Sequence, residues 1–360
     1  MPAPAISSCP PLSRRAAALG LLAAPLAAAP VLGGALAACS APADGAYRAL
    51  PGDGAWLNGP PLRPADLLGK VVLVNFWTYT CINSLRPLPY VRSWADKYRD
   101  RGLAVLGVHT PEFSFEQELP RVRTAVEQLG VRYPVALDND FAIWRSFRNT
   151  AWPGFYILDT EGRVRHQRLG EGDYDTSERV IQTLLADGFG GRVSDPIVPV
   201  MGVGPEAAPD WDDLGSPETY AGYAKAENFA GVLRRDTARS YETPARLPLN
   251  SWALAGTWTA RPEFAELTRG AGSIAYRFHA RDLHLVMGPG ASENPVRFRV
   301  RLDGADPGLD HGSDTDGAGW GEVREARMYQ LIRQAGPVRD RTCVIEFQAA
   351  GPRAYCFTFG

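Results

Sequence analysis

Trp77-Thr78-Tyr79-Thr80-Cys81-Ile82-Asn83-Ser84, WTYTCINS, decides how this chain is read. It follows the apolar run Val71–Phe76, VVLVNF, which is strand-length and continuous and so predicts a buried strand. Beyond Ser84 the apolar spacing becomes helical. Leu88, Val91, Trp94, Ala95 and Tyr98 fall near one face and predict helix to about Arg99. Pro87 and Pro89 fall early in it, and since proline inside a helix costs about 3 kcal/mol, a kink is expected there. Cys81 thus sits at a strand-to-helix turn. Unpaired backbone N–H groups and the positive end of the helix dipole favour thiolate at such a place. The expectation is a lowered pKa and a reactive sulfur, and the polar flank Thr78, Tyr79, Thr80 and Asn83 argues against deep burial. The plain alternative is a buried cysteine acting as a small hydrophobe. Three positions on, where a dithiol motif would carry its second cysteine, stands Ser84.

Outward from this turn, strand and helix patterns alternate. Leu103–Val108 reads as a second buried strand and 115–129 as an amphipathic helix with Pro120 as an irregularity. Short strands follow at 135–137, 155–158 and 164–169, with helices at 141–147 and 176–185. Such alternation predicts an α/β sheet. Gly, Pro and Asp then dominate without periodicity up to Ser216. From Leu249 the chain turns to short alternating segments, such as Trp252–Trp258, Val296–Leu302, Thr342–Phe347 and Ala354–Phe359, without helices. They predict a β-sandwich or jelly roll. The organisation expected is an export signal with lipobox at 1–39, a linker at 40–60, an α/β domain at 61–188, a linker at 189–215 and an all-β domain at 216–360.

Hydrophobic residues make 45% of the 360-residue chain and charged residues 22%, a globular composition. A formal net charge of −2 offers no electrostatic case for nucleic acid. The five cysteines, Cys9, Cys39, Cys81, Cys343 and Cys356, show no zinc-ligand spacing, and neither metal nor cofactor is expected. Ser13-Arg14-Arg15 before the Ala-rich stretch 16–38 reads as an export signal, with the paired arginines pointing to the twin-arginine route. Leu36-Ala37-Ala38-Cys39 fits a lipobox, making Cys39 a candidate lipid carrier and the only membrane attachment expected. Cleavage without lipid is the alternative.

At WTYTCINSLRPLPYV, with Asn75 before it and Ala151-Trp152-Pro153-Gly154 beyond, residues 67–186 resemble the TlpA/ResA branch of thioredoxin-like proteins. With WPGFYILDTEGRVRHQRLGEGDYD, SPETYAGYAKAENF, PLNSWALAGTW and GPVRDRTCVIEF added, nearly all of 51–360 is similar to the extracytoplasmic part of DipZ-type cytochrome c biogenesis proteins. The resemblance implies a thioredoxin-like domain with a cis Pro153 facing Cys81, followed by a sandwich like a carbohydrate-binding module. It implies thiol–disulfide exchange on exported proteins. Two departures stand out: the family's membrane-spanning domain has no counterpart here, and CINC reads CINS.

The candidate catalytic residues are therefore Cys81, Ser84, Pro153, Trp77 and Glu112. One thiolate attacks a disulfide and forms a mixed disulfide, but release then needs a thiol from elsewhere. The Ser84 hydroxyl can hydrogen-bond the thiolate. Glu112, after the second strand, is a candidate proton acceptor, with a solvated capping acid as the plain alternative. His109 reads as a satisfied strand-end histidine. The functional expectation is exchange through a single cysteine, with thiol and disulfide proteins outside the cytoplasm as partners. The alternatives are a redox-inactive scaffold joined to a sandwich that binds envelope glycan or protein, and, ranked below both, peroxide reduction. Trp252, Trp258 and Trp320 are candidates for a sugar platform, with core packing as the alternative. Cys343 and Cys356, on the last two expected strands, are candidates for a disulfide. The acidic loop Asp310–Gly317 is either a calcium loop or an ordinary turn.

Overall fold

Each side of the expected strand at Val71 buries a different layer, and that fixes the first sheet. In the computed structural model, which describes residue 50 and residues 54–191, 195–291 and 294–360, β2 (Val71–Trp77) is buried along its whole length. Val71, Leu73 and Trp77 pack into one apolar cluster, and Val72, Val74 and Phe76 into another. A strand covered on both faces reads as an unbroken apolar run for this reason. β2 pairs in parallel with β3 (Leu103–His109), and β3 with β4 (Val135–Leu137). β5 (Gly154–Leu158) and β6 (Val164–Leu169) add antiparallel strands on the other side. β1 (Trp56–Leu57), within the stretch expected as linker, closes the far edge against β4, giving the order β1-β4-β3-β2-β5-β6.

The helices are α1 (Pro64–Leu67), α2 (Ile82–Leu85), α3 (Leu88–Tyr98), α4 (Leu119–Gln128), α5 (Ala142–Ser146) and α6 (Tyr174–Phe189). The kink expected at Pro87 is a break: α2 ends at Leu85, and Pro87 becomes the N-cap of α3. Pro120 is no irregularity. It lies in the first turn of α4, where no N–H is needed.

The second fold is an antiparallel sheet: β7 (Thr219–Tyr220), β8 (Arg239–Tyr241), β9 (Ser251–Ala260), β10 (Ala265–Phe278), β11 (Asp282–Gly288), β12 (Val296–Leu302), β13 (Trp320–Val323), β14 (Arg327–Arg333), β15 (Arg341–Phe347) and β16 (Arg353–Phe359). Its path runs β13-β12-β15-β10-β16-β11-β14, with β9 also on β10 and β7 on β16. It is a half-barrel or sandwich around a core that includes Trp252, Trp258, Tyr276, Phe298 and Phe347. The first half of β10 and the short strands β7 and β8 lie outside the strands expected from alternation. β10 is interrupted by register shifts between Leu267 and Ser273, which hide its continuity in the sequence.

Three sequence expectations change here. β10 lies between β15 and β16, so Cys343 and Cys356 are not hairpin neighbours, and both are free thiols. They also belong to different cores: Cys343 to the sandwich core, Cys356 to the cluster shared with the first fold. Trp252 and Trp258 are fully buried, with Nε1 donated to Glu227 O at 2.9 Å and Ala255 O at 2.8 Å. Of the three tryptophans, only the partly exposed Trp320 remains for a sugar platform, and Arg297 and Arg299 cover its ring. In the acidic loop, Asp314 accepts from Arg327 Nη2 and Gln330 N, and Asp316 caps Ala318 N and Trp320 N. These carboxylates already have partners, and among the described residues no group of three or more acids, histidines and cysteines is placed to hold a metal.

The segment between the folds is strapped down. Glu178 on α6 accepts from Trp94 Nε1, Lys97 Nζ, Tyr98 Oη and Val198 N, and Arg92 grips Glu206 through both guanidinium nitrogens at 2.6 and 2.8 Å. Among the described residues no helix is long and apolar enough to cross a membrane. The export signal and the Cys39 lipobox lie outside the described residues.

Candidate functional site

Cys81 is the N-cap of α2, reached from β2 through the three-residue turn Thr78–Thr80. Its carbonyl accepts from Ser84 N at 2.9 Å and Leu85 N at 3.1 Å, which sets the first turn of the helix. Ser84 is buried beneath that turn, its Oγ 3.5 Å from Thr78 N. The hydroxyl and the backbone N–H of Ser84 both act to lower the Cys81 pKa. The Trp152–Pro153 peptide is cis, and Trp152 Nε1 donates to Thr110 O at 2.9 Å, tying that loop to the end of β3. Trp77, the last residue of β2, is fully buried and packs edge-on to His109.

The expected lowering of the Cys81 pKa is not what the structure gives. Its thiol is only 6% exposed, and its pKa is pushed well up, by burial first, then by the charges of Glu112 and Glu218. The donors of Ser84 offset this only in part. Burial of a thiol disfavours its charged form, and the cover is the second fold. Val286, Met328, Tyr355 and Cys356 of the sheet join the cluster that contains Trp77, Tyr79, Ile82, Phe113 and Phe115. Tyr355 meets Phe113 and Phe115 with ring centroids at 5.1 and 4.9 Å. Thr78 and Thr80, whose polarity suggested exposure, are themselves fully buried.

Glu112 lies in the seam between the folds, its side chain 5% exposed. Tyr220 Oη donates to Glu112 and lies 3.0 Å from Glu218 Oε2. One hydroxyl proton cannot serve both carboxylates. Glu218 is exposed as a residue, yet the protein around its carboxyl and the neighbouring Glu112 charge push its pKa up to about 7. Lys225 Nζ stands 3.5 Å from Glu112 Oε1 and over the Tyr220 ring. Cys356 faces Tyr220 across β16 and β7. Its pKa too is raised, by burial, Glu218 and Glu112, with Cys81 contributing.

Two residues under the turn are not among the sequence candidates. Glu116 is fully buried, accepts from Thr80 Oγ1 at 2.5 Å, Glu112 N at 2.5 Å and Phe113 N at 2.9 Å, and burial lifts its pKa to about 7. Arg86, 3% exposed, bridges the folds through Glu171 Oε1 and Phe359 O, both at 2.8 Å. His109 is held neutral, burial lowering its pKa to about 3, with Nε2 3.4 Å from Thr78 Oγ1 and its ring stacked on Tyr79. The capping spacing of 112–116 was a detectable cue for Glu116. For Arg86, Tyr220, Glu218 and Cys356 none exists, because their partners are far away in sequence.

Comparison with known proteins agrees with this architecture. Residues 54–167 match the AhpC/TSA family and residues 216–360 match the thioredoxin like C-terminal domain. Protein DipZ of Mycobacterium bovis is 39% identical over 248 residues, 67% of this chain and 35% of that protein. The chain therefore spans about a third of that relative's length. Thiol-disulfide oxidoreductase YkuV of Bacillus subtilis is 29% identical over 138 residues, 38% of this chain and 93% of that protein. A thioredoxin-like protein solved in its oxidized form in solution is 29% identical, covering 38% of this chain and 93% of its own, with a TM-score of 0.36. The chain is thus a homologue of DipZ and of the TlpA/ResA-like thiol–disulfide oxidoreductases, a thioredoxin-like domain followed by a thioredoxin-like C-terminal β domain.

Proposed function

We propose that this protein is an exported thiol–disulfide exchange protein whose nucleophile is Cys81. The observation that carries it is the placing of Cys81 at the cap of α2, in the turn that also holds the Ser84 hydroxyl and amide, both of which act to lower its pKa. These donors stabilise a thiolate once burial is relieved. The described arrangement is then the resting state, in which the β domain shields the sulfur. Substrates are disulfides or thiols of other extracytoplasmic proteins, a lipid on Cys39 would tether the chain to the envelope, and the cis Pro153 loop frames the site. Incubating the full chain with glutathione disulfide at mildly alkaline pH, then quenching with acid and mapping peptides, tests it. Cys81 is expected to leave the free-thiol pool, and Cys81→Ser to show no such loss at that position. A Cys81 that stays a free thiol overturns the proposal.

That outcome would favour the second reading, a redox-inactive scaffold, which the burial and raised pKa of Cys81 support. The glycan-binding part of that reading loses two of its three tryptophans to the core. Ser84→Cys discriminates further. Restoring a thiol three residues after Cys81 is expected to raise insulin-disulfide reduction roughly tenfold or more, because release becomes intramolecular. No gain in a folded Ser84→Cys protein points to the scaffold.

A further inference from the structure

Exchange at Cys81 alone leaves Cys356 without a role. It is one of the free thiols, 2% exposed, on the strand that passes over the redox turn. Its row of the sheet settles which way it points. Val286 pairs with both Cys356 and Met328, and all three join the apolar cluster of Trp77, Tyr79 and Ile82. Ala354 and Phe357 belong instead to the sandwich core. Cys356 therefore faces the thioredoxin-like domain. Across from it stands Tyr220, whose hydroxyl donates to Glu112, and Glu112 and Glu218 act on both sulfurs. Cys356 and the neighbours of Cys81 in the turn, Tyr79 and Ile82, thus belong to one buried cluster, and the same two carboxylates act on both sulfurs.

We propose that Cys356 is the resolving thiol of this protein, replacing across the domain seam the second cysteine that Ser84 displaces. This rests on the exchange function proposed above. The Cys81 thiolate attacks a substrate disulfide, one substrate sulfur leaves as thiolate and takes a proton from water, and a mixed disulfide remains on Cys81. Cys356 then gives its proton to the Glu112–Glu218 pair and attacks the Cys81 sulfur. The mixed disulfide breaks, a Cys81–Cys356 disulfide forms, and the second substrate sulfur departs and is protonated. The substrate gains two electrons and two protons, and the two protein thiols lose them. A dithiol reductant resets the pair. The disulfide needs the two Cα atoms within about 7 Å, so the β domain settles onto the turn at this step.

The experiment is a single turnover of the full reduced chain with glutathione disulfide, followed over time by acid-quenched intact mass and peptide mapping. Wild type is expected to end with Cys81 linked to Cys356, two thiols lost and no retained glutathione. Cys356→Ser and Cys356→Ala are expected to stop at glutathione on Cys81, while Cys343→Ser behaves as wild type. Wild type that stops at the same adduct overturns the role of Cys356 and leaves exchange at Cys81 standing. A Cys81 untouched in every variant overturns both. Two Cys356 variants guard against a fold defect in either one, and the wild-type product needs no variant.

Discussion

Replacing Arg86 by methionine is expected to lower the stability of the full chain by about 3–5 kcal/mol, and to speed alkylation of Cys81 by an external reagent. Arg86 lies on the break between α2 and α3, two residues after Ser84, with its guanidinium inside the seam. Its salt bridge to Glu171 joins side chains only 3% and 7% exposed, and its other arm holds the carbonyl of Phe359, a residue of β16. Removing the arginine leaves a buried carboxylate without its cation and a carbonyl without its donor. That deficit, rather than the net worth of the ion pair, sets the magnitude. Burial already raises the Glu171 pKa, and Arg86 is what restrains it. In Arg86→Met, Glu171 is expected to take up a proton at higher pH, so the loss of stability should be greatest in alkaline solution. Arg86→Met/Glu171→Leu removes both charges and is expected to recover much of the loss. Because β16 also carries Tyr355 and Cys356, loosening its edge lets reagent reach the sulfur. A drop of about 1.4 kcal/mol in the cost of opening the seam raises the open population tenfold. Denaturant unfolding and iodoacetamide kinetics on the native chain measure the two effects. A cost under 1 kcal/mol together with unchanged alkylation would show that the bridge does not hold the domains together.

The elements that were legible in the sequence are those whose signal is local. The run VVLVNF announces a strand covered on both faces, and β12 and β15 follow the expected alternation because one face of each is core, while β11 and β14 are buried on both faces. Alternation says that a residue is buried and not what buries it. For Cys81 that gap reversed the expectation: the turn has the right shape for a thiolate, but a face of the β domain lies on it, some 270 residues on in the chain. Cys343 and Cys356 failed as a pair for a related reason. Consecutive strands are often neighbours, and here β10 intervenes. Glu112 was legible as a loop acid near the sulfur, whereas its tie to Tyr220 depends on the docking of the second fold.

Glu116 gives the second large effect, and its sign follows from burial. Its folded pKa is raised from 4.5 to about 7, so between these values the native chain holds a proton that the unfolded chain has lost. Stability from this group is therefore full below pH 4.5 and is lost as pH rises through 7, by roughly 3 kcal/mol in all. Glu116→Gln keeps the shape and removes the charge. The amide oxygen can still accept from Glu112 N and Phe113 N, and the amide nitrogen can donate to Thr80 Oγ1, so each partner of the carboxylate keeps a bond. The variant is expected to match wild type near pH 4 and to exceed it by roughly 2–3 kcal/mol at pH 8. Glu171, Asp138 and Glu218 also have raised pKa values and slope the wild-type curve in the same sense, so the quantity to read is the difference between the two proteins. A difference that stays flat from pH 4.5 to 8 would mean that Glu116 is ionised in the fold at little cost. Keeping a glutamate here despite this cost makes sense if its charge serves the turn. Thr80, which donates to it, precedes Cys81 directly, so the state of Glu116 reaches the sulfur through one hydrogen bond and one peptide. Alkylation of Cys81 in Glu116→Gln, compared with wild type across the same pH range, then reports whether that coupling exists.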